Sequence, residues 1–155
     1  DHPISPGAVP AASPSSAGVP PIESSASGVG GALAGLSVRE VIARAESPLA
    51  IDREGGRRLQ AGQPDDGVLL LEAAAGKGES GAMAQLAKLY DPNGFDPKGP
   101  IPSPDVREAA RYYRDAAQAG DKDVDAPRAL LHERLQGEAQ KGSMSAELAL
   151  RDFWP

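Results

Sequence analysis

The chain has 155 residues, about one domain or a small domain with a tail, and its composition leans toward Ala, Gly, Pro and Ser, with aromatics at 4%. It has no cysteine and only two histidines, His2 and His132, so a disulfide scaffold, a thiolate zinc site and a cysteine nucleophile are excluded, and a metal or Ser-His-Asp site would rest on one imidazole. A formal charge of −6 argues against a nucleic-acid surface, which shows a basic patch, and no apolar run approaches the roughly 20 residues of a membrane span.

Residues 1–35 are built almost wholly from Pro, Ser, Gly and Ala, with Asp1 and Glu23 as the formal charges. Proline removes backbone donors, glycine and serine raise unfolded-state entropy, and no large side chain offsets that entropy. The segment therefore reads as a disordered linker or spacer. It lacks a P-x-x-P core with flanking basic residues, so a proline-rich ligand is the weaker reading. The chain begins without Met and without a signal peptide, as a mature protein or a fragment does.

From Leu36 onward charges appear and apolar residues recur at helical spacing. A first helix spans Leu36–Glu46, with Val38, Val41, Ile42 and Ala45 on one face, Ser37 as N-cap and Glu40 completing a capping box. Ser47-Pro48 stops it. Ile51–Ala61 is a second candidate, weakened by Gly55-Gly56. After a turn at Gly62-Gln63-Pro64, Asp65–Gly78 forms a third, with Leu69, Leu70 and Leu71 inside and Asp65 or Asp66 capping. Ser80–Tyr90 is the fourth. A loop over Asp91–Ser103 holds Pro92, Pro97, Pro100 and Pro102. Pro104–Gly120 is the fifth helix, with Ser103 as N-cap. Asp125–Lys141 is the sixth, with a break expected near Gly137, and Ser143–Asp152 is the last. No stretch shows period-two alternation, so the fold class is all-α.

The sequence also repeats itself. Leu70-Leu71-Glu72-Ala73-Ala74-Ala75-Gly76-Lys77-Gly78-Glu79 matches Tyr112-Tyr113-Arg114-Asp115-Ala116-Ala117-Gln118-Ala119-Gly120-Asp121 at an offset of 42 residues. Downstream, Ala82 and Leu86 match Ala126 and Leu130 at an offset of 44. Glu138–Ser143, with Ala146 and Leu150, is a weaker echo. The period suits helical hairpins. Paired alanines let two helices approach closely, glycine closes a helix in a left-handed cap, and an acidic residue or serine starts the next.

Asp105, Ala109, Tyr112-Tyr113, Ala116-Ala117, Gly120-Asp121, Ala126 and Leu130 together resemble the Sel-one-like repeat, a relative of the tetratricopeptide repeat. The likeness is specific over 79–130, looser over 50–150, and does not touch 1–35. The loop 91–103 is longer and richer in proline than the family's glycine turn, and the last unit lacks a normal loop. The resemblance implies a right-handed α/α solenoid of about three stacked hairpins over residues 36–155, with a concave groove lined by the first helix of each hairpin. It implies an adaptor, expected in a bacterial, periplasmic envelope assembly, with a cytoplasmic setting as the alternative. Residues 1–35 would tether the module to a membrane anchor or another domain. With Ala82, Leu86 and Leu89 inward, Met83, Gln85 and Lys88 are left for a protein partner, joined by Arg128 and His132 in the later hairpin and by Phe95 in the loop.

Chemistry is sparse. Asp91-Pro92-Asn93-Gly94-Phe95-Asp96 is reminiscent of a calcium loop, but glycine is fourth rather than sixth and the twelfth residue is Pro102 rather than glutamate. It reads as a turn-rich loop in which Asp and Asn cap backbone donors. His132-Glu133 begins like a zinc-protease helix, but position 136 is Gln136. No nucleophile elbow or phosphate loop is present, Glu133 and Glu138 read as solvated faces, and no cofactor, metal site or enzymatic activity is expected. Tyr112 and Tyr113 read as packing residues. Phe153-Trp154 staples the last helix to the preceding hairpin or serves as a docking motif. The alternative function is a module binding a small ligand, a glycan or a peptidoglycan fragment.

Overall fold

The computed structural model describes residues 31–155; the expected spacer lies, but for its last five residues, outside the described residues. A boundary at Gly35/Leu36 divides the chain into two units. The described end of the first carries a 3-10 turn, Gly31–Leu33.

The second unit is all-helical. Its helices are α1 (Val38–Arg44), α2 (Pro48–Gln60), α3 (Pro64–Gly76), α4 (Ser80–Tyr90), α5 (Val106–Gln118), α6 (Asp125–Gln140) and α7 (Met144–Phe153), with a 3-10 turn at Lys122–Val124. The described residues include no strand. Neighbours in sequence pack together: α2 on α3, α3 on α4, α4 on α5 and α6 on α7, with α1 against α3 and α5 against both α6 and α7.

Local chemistry sets the helix ends. Ser37 accepts from the Glu40 amide while Glu40 accepts from the Ser37 amide, the reciprocal pair of a capping box. Ser47 caps α2 with Pro48 at its first turn. Four helix ends close on the same device. The amides of Gln63, Glu79, Asp121 and Ser143 reach back to the carbonyls of Arg58, Ala74, Ala116 and Glu138. The glycine just before each, Gly62, Gly78, Gly120 and Gly142, has φ between 81° and 97°, the left-handed region where a Cβ is costly. Three of these glycines belong to the sequence repeat; the first, at Gly62, extends it by one helix end.

The core follows the repeat. Leu70, Leu71 and Ala74 of α3 and Tyr112, Tyr113 and Ala116 of α5 are buried at equivalent positions. Around them lie Ala82, Leu86 and Ala87 of α4, Ala109 and Ala110 of α5, Leu131 and Leu135 of α6, and Ala146 and Ala149 of α7. Small residues bring the helices close. The tightest place is α2 against α3, where a Cβ on Gly67 would stand 2.6 Å from a Leu59 methyl and 2.9 Å from the Gly55 carbonyl oxygen. The Gly55-Gly56 pair lowers helix propensity but admits this approach.

Polar groups complete the α2 face. Arg58 is 1% exposed and Glu54 5%. The Arg58 Nε donates to Glu54 at 2.7 Å and its Nη2 to the Leu36 carbonyl at 2.6 Å, so a buried ion pair fastens the segment leading into α1. Burial pushes the Glu54 carboxyl up, but hydrogen bonds from Arg57 and Arg58 outweigh it and hold the group below the usual carboxylate range.

Several expectations are corrected. Leu69 is 50% exposed, because three consecutive leucines cannot share one helix face. The N-cap of α5 is Asp105, whose Oδ1 accepts from the Arg107 and Glu108 amides, rather than Ser103. Neither Asp65 nor Asp66 caps α3; Gln63 holds that place, with Pro64 first in the helix. Helix α6 runs unbroken through Gly137. Ala126 is exposed and Leu130 is 57% exposed, whereas Leu131 is fully buried. The 3-10 turn before α6 shifts the match with α4 by one residue, and one residue turns a helix by about 100°.

Candidate interaction groove

The long connection between α4 and α5 is a folded loop. Its ends are joined by the Asp105 amide donating to the Tyr90 carbonyl at 2.9 Å. Within it, Asp91 Oδ1 accepts from the Asn93 amide and Asp96 Oδ1 from the Lys98 amide, each at 2.9 Å. These are two Asx turns, the backbone-capping role read from the sequence. Ile101, 6% exposed, anchors the loop below. The Tyr113 hydroxyl donates to Asp91 Oδ2 at 2.7 Å across a buried contact. Burial, the bond to Asp91 and that carboxylate's charge push the Tyr113 phenol far above its ordinary value, so it remains a donor at any physiological pH. Arg134 Nη1 donates to Asn93 Oδ1 at 3.0 Å and fastens the loop to α6.

Three cavities share Lys88. One, of about 380 Å³, is lined by Lys88, Asp91, Asn93, Gly94, Tyr113, Pro127 and Leu130. A second, of about 290 Å³, lies beside Gly56, Leu59 and Gln60 of α2 and Gln85, Lys88 and Leu89 of α4. The smallest, of about 90 Å³, runs under the loop between Lys88, Asp96, Gly99 and Ile101. The groove is thus lined by α2, α4, α6 and the loop. Gly56 belongs to its wall, where a Cβ would meet the Gln85 amide nitrogen at 4.0 Å.

The expected partner residues divide. Gln85 and Lys88 are exposed and line these cavities. Met83 is half-buried on the same helix, and Phe95 is half-buried in the loop. Arg128 and His132 are turned onto the C-terminal aromatic. The His132 ring stacks on Trp154 at 5.0 Å between centroids, and the Arg128 guanidinium lies 5.2 Å from the same ring. Arg128 also donates to the Phe153 carbonyl at 3.0 Å. Pro127 and Leu130 are the α6 residues that line the 380 Å³ cavity.

Phe153 is 7% exposed, with the guanidinium groups of Arg107 and Arg114 each 5.1 Å from its ring centre. The two aromatics therefore staple α7 to α5 and α6. Tyr112 is buried and stacks on Tyr90 at 6.3 Å.

One carboxylate pair escaped the sequence reading. Asp52 is 8% exposed, and its Oδ1 is buried with no hydrogen-bond partner. A Cβ built on Gly81 would stand 3.0 Å from Asp52 Oδ2 and 3.2 Å from Glu79 Oε2, so both carboxylates crowd the start of α4. Burial first, and the Glu79 charge second, raise the Asp52 carboxyl above its usual range. Among the described residues no group of three or more His, Asp or Glu is placed to hold a metal ion, and no helix is long and apolar enough to cross a membrane. Comparison with known proteins returns no match among family models, curated proteins or solved structures.

Proposed function

We propose that residues 36–155 are a non-catalytic interaction scaffold: three helical hairpins, α2–α3, α4–α5 and α6–α7, stacked as an α/α solenoid of the Sel-one-like kind, with a protein partner held along the face of α2, α4 and α6. The observation that supports this best is the set of cavities meeting at Lys88, lined by the first helix of each hairpin. The groups there suit holding a surface rather than reacting with it. The Asp91 carboxylate is bonded to Tyr113 and Asn93, Arg134 is bonded to Glu138 and Asn93, and no nucleophile with an adjacent base lines the groove. The glycan-binding alternative draws less support, because Tyr112 and Trp154 are stacked on the protein's own rings. An adaptor role in a bacterial envelope assembly, with residues 1–35 as a tether, follows from the family resemblance alone.

A pull-down from cross-linked cells with the whole chain tests the reading, run beside Lys88→Glu combined with Leu130→Lys. Both side chains are exposed, so the fold should survive, as circular dichroism would verify. Recovery of one protein by the wild type and its loss in the double variant is the expected result. Equal recovery by both chains would remove the groove from the function.

A further inference from the structure

The α4–α5 loop carries a reactive pair that none of its structural contacts uses. We propose that Asn93-Gly94 is a self-modifying site: the Gly94 backbone nitrogen attacks the Asn93 side-chain amide, ammonia leaves, and water opens the resulting succinimide to an aspartyl or isoaspartyl residue whose carboxylate faces the Arg134 guanidinium. This holds whatever the groove binds.

The pair itself is the first support. Asn93 is the only asparagine in the chain, and a glycine follows it. The ring closes between the asparagine Cγ and the next backbone nitrogen, which the next residue's side chain ordinarily shields. Glycine has no Cβ to shield it and gives the backbone the freedom that closure needs. Asp66-Gly67 could form the same ring, but Gly67 is buried and its amide donates to the Gln63 carbonyl at 3.0 Å in the first turn of α3. Gln136-Gly137 would need a larger ring and lies inside α6.

Access is the second. Asn93 and Gly94 are both exposed, so hydroxide can take the amide proton and water can reach the ring. A guanidinium has only donors, so the atom that faces Arg134 at 3.0 Å is the Asn93 oxygen. That bond draws electron density from the Cγ under attack and meets the oxyanion that forms there. The nucleophile is restrained by one turn bond, from the Gly94 amide to the Asp91 carbonyl at 3.2 Å. The loop's other backbone bonds, at Gly99 and Asp105, measure 2.9 Å. Breaking that single long bond frees the nitrogen, whereas a helical amide would require part of its helix to unwind.

The third is what the product meets. The bond from Cγ to the side-chain nitrogen breaks, one water is consumed and one ammonia is released, so a neutral amide becomes a carboxylate on a chain of charge −6. The new charge stands near the Asp91 carboxylate, which accepts from the Asn93 amide, and near Glu138, which pairs with Arg134. Arg134 is the cation that offsets it, because its Nη1 already holds the Asn93 oxygen. The hydrogen bond from the loop to α6 thus becomes an ion pair. The isoaspartyl product also carries the main chain through the former side chain, one carbon longer, and breaks the turn between Gly94 and Asp91. Asn93 and Gly94 line the 380 Å³ cavity, so the reaction changes the charge and shape of the groove wall, and the protein exists in two forms set by its age.

The test incubates the whole folded chain in mildly alkaline buffer over weeks, then unfolds and digests each sample for mass spectrometry, with a sample digested at the start as reference. The peptide Leu89–Lys98 is expected to gain the mass difference between an amide and an acid and to separate into aspartyl and isoaspartyl forms. The gain should be absent in Asn93→Gln. It should be about fivefold slower in Gly94→Ala, whose Cβ meets no atom within 4 Å and so acts on the nitrogen alone. Asn93→Asp, standing for the aspartyl product, tests the tie to Arg134. It should lower the melting temperature by about 1–4 °C more in an Arg134→Gln background than in the wild-type one. A folded chain that gains no mass at this peptide, while the same chain in urea does, would overturn the inference. So would equal effects of Asn93→Asp in the two backgrounds.

Discussion

At the scale of single residues, α2 holds two buried carboxyls with opposite responses to pH. Glu54, held low by Arg57 and Arg58, releases its proton more readily folded than unfolded. It therefore contributes stability above the ordinary glutamate value near about 4.3, and that contribution is lost as pH falls through the lower folded value. Glu54→Gln takes from the 1%-exposed Arg58 its shortest ion pair and leaves Asp66 at 3.4 Å, so a loss of about 2 kcal/mol at neutral pH is expected in urea unfolding, shrinking in acid. A pH-independent difference would count against the ion pair. Asp52 runs the other way. Its folded value is raised, so its favourable contribution is complete in acid and is lost as pH rises through that value. Asp52→Asn should raise the melting temperature at neutral pH, where the buried carboxylate is charged, with no gain in acid, where it is protonated; a lower neutral-pH melting temperature would refute it. Neither group was visible in the sequence. Glu54 and Arg58 are four apart on a helix, the spacing of any solvated ion pair, and only their burial makes them structural.

At the scale of elements, the helices were legible because apolar spacing and capping agree. Ser37 with Glu40, Ser47 before Pro48, and the repeated glycine caps mark ends that the folded chain uses. Gly120→Ala tests this, since φ there is 97° and a Cβ meets no atom within 4 Å. The loss, about 1 kcal/mol, is therefore conformational alone. Gly67→Ala should cost more, because its Cβ meets Leu59 and the Gly55 carbonyl. If thermal unfolding ranks the two in the other order, close approach of α2 and α3 is not what glycine 67 serves. Adjacent leucines were where the reading failed. Leu130-Leu131 offers two registers for α6, and a repeat offset cannot choose between them when a 3-10 turn has slipped in ahead. Of the expected partner residues, Gln85 and Lys88 border the cavities, whereas Arg128 and His132 lie against Trp154, a contact between an α6 face and the chain end that the repeat pattern does not place. The Asx turns of the loop wall were legible, but its ties to the helices were not, since Tyr113 on Asp91 and Arg134 on Asn93 join residues 22 and 41 apart in sequence.

At the scale of the molecule, the α4–α5 connection has a use its cavities do not exhaust. Lys98 is exposed at its tip and is followed by Gly99, while the chain on either side is tied by Asp105 on Tyr90, Tyr113 on Asp91 and the packing of α4 on α5. Brief trypsin treatment should cut there before it cuts the helices, and the two pieces should leave a sizing column together under native conditions; separate elution would show that the joining contacts are weaker than their geometry. Those ties do not run through the peptide bond at Lys98. Residues 1–98 and 99–155, made as separate chains, should therefore find one another and rebuild the protein, which makes it a candidate for a split reporter whose two halves report that both are present in one compartment.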